Sequence, residues 1–465
     1  MLLITVLNLF CLVNAIFFNK LYPRMKLSAK RTKHCGEPLF LTPYLDQGAI
    51  DVAQNLSRVA MTEHMGIKSH AGFFTVDPQT HTNMYFWYFP PFTKCQEAPI
   101  ILWVQGGVGG SSLFGLFREV GPLVVKGHHE LLERRYHWAL NYHLLFIDNP
   151  AGVGFSYTEC PASYCTDGYC VGNELYKTLL QFFQLFPDIN RNDFYIAGES
   201  YAAKYIPFLG QVIHNENAKI KDNTTIHLKG MLLSSAYCDP INQLDYGNYL
   251  YQHGLIDNKE LNVFLKYQIE IAVELKKKHW LKANVLMDRL MEGQVTRFSL
   301  FKHYTGFNYY YNLLESEPRY DWLHFLSLLH ENEVRSSIHV GGLRFNDGEA
   351  AQTMLALDMM QSAAPLISEL LSHYRFLFYN GQLDIIVAYP LTVNFLKNLN
   401  FSSSSQYSEA TRKVWRVGKV VAGYIKQAGN LTEALVRNAG HLVSQDKPKW
   451  TLDLITRFIR NDYKF

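Results

Sequence analysis

The chain has 465 residues, 48% of them hydrophobic, with 44 Lys and Arg against 41 Asp and Glu. That apolar content can bury a large core, and the length suits one α/β domain with insertions. A formal charge of +3 on so long a chain, with no basic stripe interleaved with aromatics, excludes a nucleic-acid surface.

In chain order, Met1–Ala15 is a short apolar run ending Val13-Asn14-Ala15, small at the positions a signal peptidase reads. It is shorter than the roughly 20 residues of a membrane span, and no later segment is long and apolar enough, so no membrane insertion is expected. A signal peptide (1–15) predicts the secretory pathway, secreted or lysosomal. Lys20, Arg24, Lys26, Lys30, Arg31 and Lys33 then form either a pro-segment (16–35) or a solvated basic arm. Strand-like runs follow at Thr82–Tyr88, Ile100–Val104, His143–Ile147, Asp193–Ala197, Ile226–Leu232, Arg375–Tyr379 and Val414–Val417. Helical patterns alternate with them, including Gly172–Phe186 and Pro448–Arg460. This alternation predicts a mostly parallel sheet flanked by helices. Residues 239–336 break it with a helical, charged stretch (Glu260–Leu290) and an aromatic-rich one (Phe298–Trp322).

Without Cys11 of the leader, six cysteines remain: Cys35, Cys95, Cys160, Cys165, Cys170 and Cys238. In an oxidising compartment disulfides are expected rather than a metal at the 160–170 cluster, with the pairing open. Asn55, Asn223, Asn400 and Asn430 head glycosylation tripeptides and are expected at the surface. The 18 histidines show no metal spacing, so neither metal nor cofactor is called for.

The chemistry concentrates in four segments. Gly198-Glu199-Ser200-Tyr201-Ala202 sits between a strand-like run and a helical one, where a sharp turn can lift a serine above helix N–H groups. Trp103-Val104-Gln105-Gly106-Gly107-Val108-Gly109-Gly110 follows an apolar run and lacks the Gly-Lys-Ser/Thr of a phosphate loop. Asp384 and His441 each stand just after a strand-like run. The chain order Ser200, Asp384, His441 is that of the α/β-hydrolases.

These segments, with Phe146–Ser156, Ile338–Gly341 and Val421–Gly429, resemble the serine carboxypeptidases, nearest the vitellogenic-like branch, from about Phe40 to the last helix. The resemblance implies an α/β-hydrolase fold, with the core in residues 36–238 and 337–465 and a largely helical cap in 239–336. It implies a nucleophile Ser200, a base His441 and an orienting Asp384, with oxyanion donors at the Gly107 and Tyr201 N–H groups. Gln105, Gly106, Glu119 and Glu199 would hold the substrate's terminal carboxylate, the two glutamates sharing protons at acidic pH. Peptides are the implied substrates, and a homodimer is left open. Three departures stand out: Val108 where the family has proline, which should loosen the loop; Ala203 for glycine; and Ser444-Gln445 after the histidine. They keep a second reading alive, a secreted relative of little or no activity that binds peptides or proteins. The ordinary alternative for Glu119 is a salt bridge to Arg118.

Overall fold

The computed structural model describes residues 35–127, 130–219, 225–318 and 324–462; the expected signal peptide and nearly all of the basic arm lie outside them. Fourteen strands occur among the described residues: β1 (His70–Asp77), β2 (Thr82–Phe89), β3 (Ile100–Val104), β4 (Leu123–Lys126), β5 (Glu130–Glu133), β6 (His143–Ile147), β7 (Val153–Gly154), β8 (Phe194–Glu199), β9 (Leu228–Ser234), β10 (Asn346–Asp347), β11 (Arg375–Gly381), β12 (Lys413–Val417), β13 (Val420–Ala428) and β14 (Leu431–Val436). Ten form one sheet in the order β1-β2-β6-β3-β8-β9-β11-β14-β13-β12. Its middle six strands run parallel, and antiparallel pairs close both sides.

Burial explains the pattern. Strands β3 (Ile-Ile-Leu-Trp-Val), β6 and β8 are buried at every position, as expected for parallel strands covered on both faces. Helices Gly168–Leu185 and Ala202–Asn217 are among the covering elements and pack on each other. Parallel strands end at one edge, so the loops after β3, β8, β9, β11 and β14 converge there. Each of the four chemistry-bearing segments lies in or beside one of these loops.

Several expectations need correction. β1 and β13, which the sequence pattern did not single out, are full members of the sheet. β1 mixes Gly72, Phe73 and Phe74 without strict alternation, and β13 is broken by Gly423, whose added Cβ would lie 1.9 Å from the Leu435 carbonyl oxygen. The helical stretch expected over Glu260–Leu290 is two helices, Asn258–Lys276 and Trp280–Met287, with a π turn at Asp288–Glu292. Among the described residues, everything between β9 and β10 is helix or loop. Cys165 and Cys170 form a disulfide, whereas Cys95, Cys160 and Cys238 are thiols.

Candidate active site

Ser200 has φ +60, a left-handed conformation that holds a non-glycine residue in a tight strand-to-helix turn. Its N–H donates to the Ser234 carbonyl and its own carbonyl accepts from Tyr237 N–H, so both ends of the turn are pinned to the β9 loop. The same loop reaches the histidine: Ser235 Oγ donates to the His441 carbonyl at 3.0 Å. His441 Nδ1 lies 2.8 Å from Asp384 Oδ2, and Asp384 Oδ1 accepts from Val387 N–H at 3.0 Å. Ser200, Asp384 and His441 are each 0% exposed.

A segment between β9 and β10 ties Asp384 to His441. The Tyr310 carbonyl accepts from the N–H groups of Ile385 and Ile386, Leu313 N–H donates to Leu383, and His441 N–H donates to Tyr311. Gly440 has no room for a side chain, since a Cβ would lie 2.1 Å from the Tyr311 carbonyl oxygen.

The glycine-rich loop lies against the serine turn. A Cβ on Gly106 would sit 2.2 Å from the Glu199 carbonyl oxygen, 2.8 Å from Tyr201 N and 3.0 Å from Ser200 Cβ. Gly107, Val108 and Gly109 follow at φ +83, +39 and +90. Val108 therefore holds a conformation proline cannot adopt, and the expectation that valine merely slackens a proline-shaped loop is overturned. A β-branched residue there costs on the order of 1–3 kcal/mol, met by burial of the whole loop. Asp148 secures the loop's far end: Oδ1 accepts from Ser111 Oγ at 2.6 Å and Ser112 N–H at 3.0 Å, and Oδ2 from Phe155 N–H at 2.8 Å. Ala203, another of the departures, fits fully buried in the helix.

Beside the serine lies a buried carboxyl pair. Helix Ser112–Phe114 runs into a π turn, Gly115–Glu119, which brings the Glu119 side chain inward. Trp103 Nε1 donates to Gln105 Oε1 at 2.7 Å and thereby orients the amide. Gln105 Nε2 then faces Glu119 Oε1 at 3.0 Å and Glu199 Oε1 at 3.4 Å. Glu119 does not pair with Arg118, which donates from Nε to Gln445 Oε1. Burial, then the neighbouring Glu119 charge and the hydrogen bond shared with it, hold Glu199 well above the usual carboxyl range. Burial also raises Glu119, against a lowering hydrogen bond from Glu199. Burial thus raises both carboxyls, the direction in which two adjacent acids come to share a proton. Arg134 caps the turn through the carbonyls of Phe117 and Gly121 and sends positive potential toward Glu119.

Sequence reasoning missed Trp103 as orienter, Arg134 and Asp148. Trp103 and Asp148 both lay inside quoted motifs, and for Trp103 a two-residue spacing along a strand could have placed its side chain and that of Gln105 on one face.

Asn55 and Asn400 are exposed; Asn430 is half-buried with Nδ2 donating to the Leu371 carbonyl at 2.9 Å; Asn223 lies outside the described residues. Among the described residues, the cluster with metal-ligating proximity is Cys165, Cys170 and Glu174, whose two sulfurs are bonded to each other. No helix there is long and apolar enough to cross a membrane.

Comparison with known proteins completes the picture. The serine carboxypeptidase family model matches residues 60–461. The chain is 46% identical over 448 residues to the venom serine carboxypeptidase of Apis mellifera, covering 96% of each. It is 44% identical over 448 residues to the vitellogenic carboxypeptidase of Aedes aegypti, covering 95% of this chain and 93% of the relative. Among solved structures, Kex1(delta)p, a prohormone-processing carboxypeptidase from Saccharomyces cerevisiae, superposes with a TM-score of 0.73 at 22% identity, over 88% of this chain and 96% of that one, which supports the fold. The chain belongs to the serine carboxypeptidase family and is a hydrolase of the exopeptidase class on an α/β-hydrolase scaffold.

Proposed function

We propose that the protein removes C-terminal amino acids from peptides at acidic pH, through an acyl-enzyme on Ser200. The observation that carries this is the buried pair Glu119 and Glu199, both facing Gln105 Nε2 and both raised by burial, with Glu199 next to Ser200 in the chain. A protonated carboxyl can donate to a substrate's terminal carboxylate, whereas two ionised ones would repel it. Gln105 Nε2 and the Gly106 N–H add donors. Such a site selects the free end of a chain.

The chemical step follows. Ser200 Oγ attacks the last peptide carbonyl while its proton passes to His441 Nε2. Asp384, on Nδ1, orients the ring and stabilises the imidazolium. The N–H groups of Gly107 and Tyr201, neither of which donates to a backbone carbonyl among the described residues, receive the oxyanion, each worth about 3 kcal/mol of barrier. Collapse gives the acyl-enzyme and expels the terminal amino acid, its nitrogen protonated by His441. Water, deprotonated by the same histidine, releases the shortened peptide. The inserted stretch 239–336 acts as a cap over the cleft. The secretory pathway is the proposed compartment, with Asn55 and Asn400 the residues best placed for glycans.

The test is a blocked dipeptide at pH 4.5 to 7.5 beside Ser200→Ala. The expected outcome is release of the terminal amino acid at acid pH by the parent alone, declining toward neutrality. A profile flat across that range defeats the glutamate pair's role. Silence of parent and control alike, with no fluorophosphonate labelling, replaces catalysis with the binding-protein reading.

A further inference from the structure

The chain returns from the insertion through residues 346–363, a stretch in which the sequence pattern marks nothing. It opens by pairing β10 with β7, and Asn346 Nδ2 donates to the carbonyls of Gly154 and Ser156. Gly348, at φ +79, then lies directly on Gly109 of the glycine-rich loop. A Cβ on Gly348 would sit 2.2 Å from the Gly109 carbonyl oxygen, and one on Gly109 2.8 Å from Gly348 Cα. Backbone touches backbone here, with no side chain between.

Ten residues on, the stretch meets the serine turn. Tyr201 hydroxyl donates to Asp358 Oδ2 at 2.6 Å. Lys204 Nζ, buried one turn along the same helix, donates to the Met359 carbonyl at 3.1 Å and approaches Asp358 Oδ2 at 3.4 Å. Tyr237, whose N–H holds the Ser200 carbonyl, sends its hydroxyl toward Met360 Sδ at 3.7 Å. Asp358 and Lys204 are both buried.

We propose that residues 346–360 form a strap that positions both oxyanion donors, Gly348 bearing on the loop of Gly107 and Asp358 on Tyr201. This rests on the oxyanion roles given above. Three successive positive φ values make the loop one that outside contacts must hold, and the strap supplies a backbone buttress at Gly109. Tyr201 has two jobs in this arrangement: its N–H faces the oxyanion, and its hydroxyl is tethered at the far side of the ring. A strap fixing both donors at once sets the distance between them, and the benefit of an oxyanion site depends on that geometry. Asp358 and Gly348 are thus positioning residues that touch no substrate.

The test uses the full chain with Tyr201→Phe, Asp358→Asn and Gly348→Ala. Four quantities are read: kcat and KM on a blocked dipeptide, affinity for a peptide boronate that forms a tetrahedral anion on the serine, and the rate of fluorophosphonate labelling. Tyr201→Phe, which keeps the N–H and removes only the tether, should lower kcat, boronate affinity and labelling rate together, on the order of tenfold, with KM nearly unchanged. Asp358→Asn, which can still accept from the hydroxyl, should lose less. Unchanged kcat and boronate affinity in Tyr201→Phe overturn the strap, as does a loss confined to KM. Should Gly348→Ala fail to fold, the Tyr201→Phe result decides alone. A parent that is labelled but releases no amino acid removes the carboxypeptidase reading while the relative labelling rates still judge the strap. A parent that is not labelled removes both.

Discussion

Gln105 has one orientation open to it, because Trp103 Nε1 occupies its carbonyl oxygen and only Nε2 is left to face the glutamates. Trp103→Phe removes that donor, together with part of a fully buried ring. The expected loss is about 1 kcal/mol, roughly a fivefold rise in KM for a peptide with a free carboxylate and none for its C-terminal amide. Burial raises Glu199 above the usual range, so in the proposed role its proton, and with it carboxylate binding, should be present at acid pH and lost as pH rises through the raised value. Glu199→Gln donates at every pH, and the decline of kcat/KM toward neutrality should vanish in a profile over pH 4.5–7.5. Val108→Pro imposes a negative φ where the chain holds +39, and should lower both activity and thermal midpoint rather than restore anything. Ser200, Asp384 and His441 were legible because each follows a strand-like run in a characteristic order. Arg134 was not, and Asp148 was quoted in a motif without its role, since a single buried charge gains its meaning only from the carbonyls and N–H groups folded around it.

At the level of elements, regular periodicity was readable and irregularity was not. Helix Pro448–Arg460 matches its expected bounds because its apolar residues recur on one face. The π turn at Gly115–Glu119 has no such signature, yet it aims Glu119 into the site. Strands meet the site through glycines that close contacts demand. Gly381 ends β11 where a Cβ would lie 2.0 Å from the Gly440 carbonyl oxygen and 2.4 Å from that of Ala439. Gly381→Ala must push the histidine loop away. A loss of about 2 kcal/mol in urea unfolding is expected, together with a larger fall in labelling of Ser200. Unaltered labelling would mean that the loop yields without moving the histidine.

Across the whole molecule, buried groups of opposite type oppose one another as pH changes. Burial raises Asp148 to about 6 and Glu174 to about 7, and lifts Glu199 further above its ordinary value. Such acids stabilise the fold fully below their unfolded values, and that stability is lost as pH rises toward the folded ones. Burial depresses His70, His137 and His143 to about 4, and their contribution is present above about 6.5 and lost as pH falls. Between pH 4.5 and 6 the unfolded chain holds about two extra protons on these histidines, and the native one about two on the acids. Thermal midpoint should therefore be nearly level there and fall above pH 7, where only the acids still titrate. Glu174→Gln removes one acid and should tilt the level region upward with pH in scanning calorimetry; a parallel curve would remove Glu174 from the balance.

The order of the sheet has one more consequence. Strands that precede the insertion lie on one side, ending at β9, and those that follow β10 lie on the other, beginning at β11. Ser200, its glycine-rich loop and both glutamates belong to the first group; Asp384 and His441 belong to the second. The proposed nucleophile and base thus come from different portions of the polypeptide, joined across the β9–β11 pairing. In the proposed reaction, a nascent chain that ends before His441 lacks its base and should cleave no peptide. Labelling of Ser200 should then serve as a timer for the closing of the β9–β11 seam.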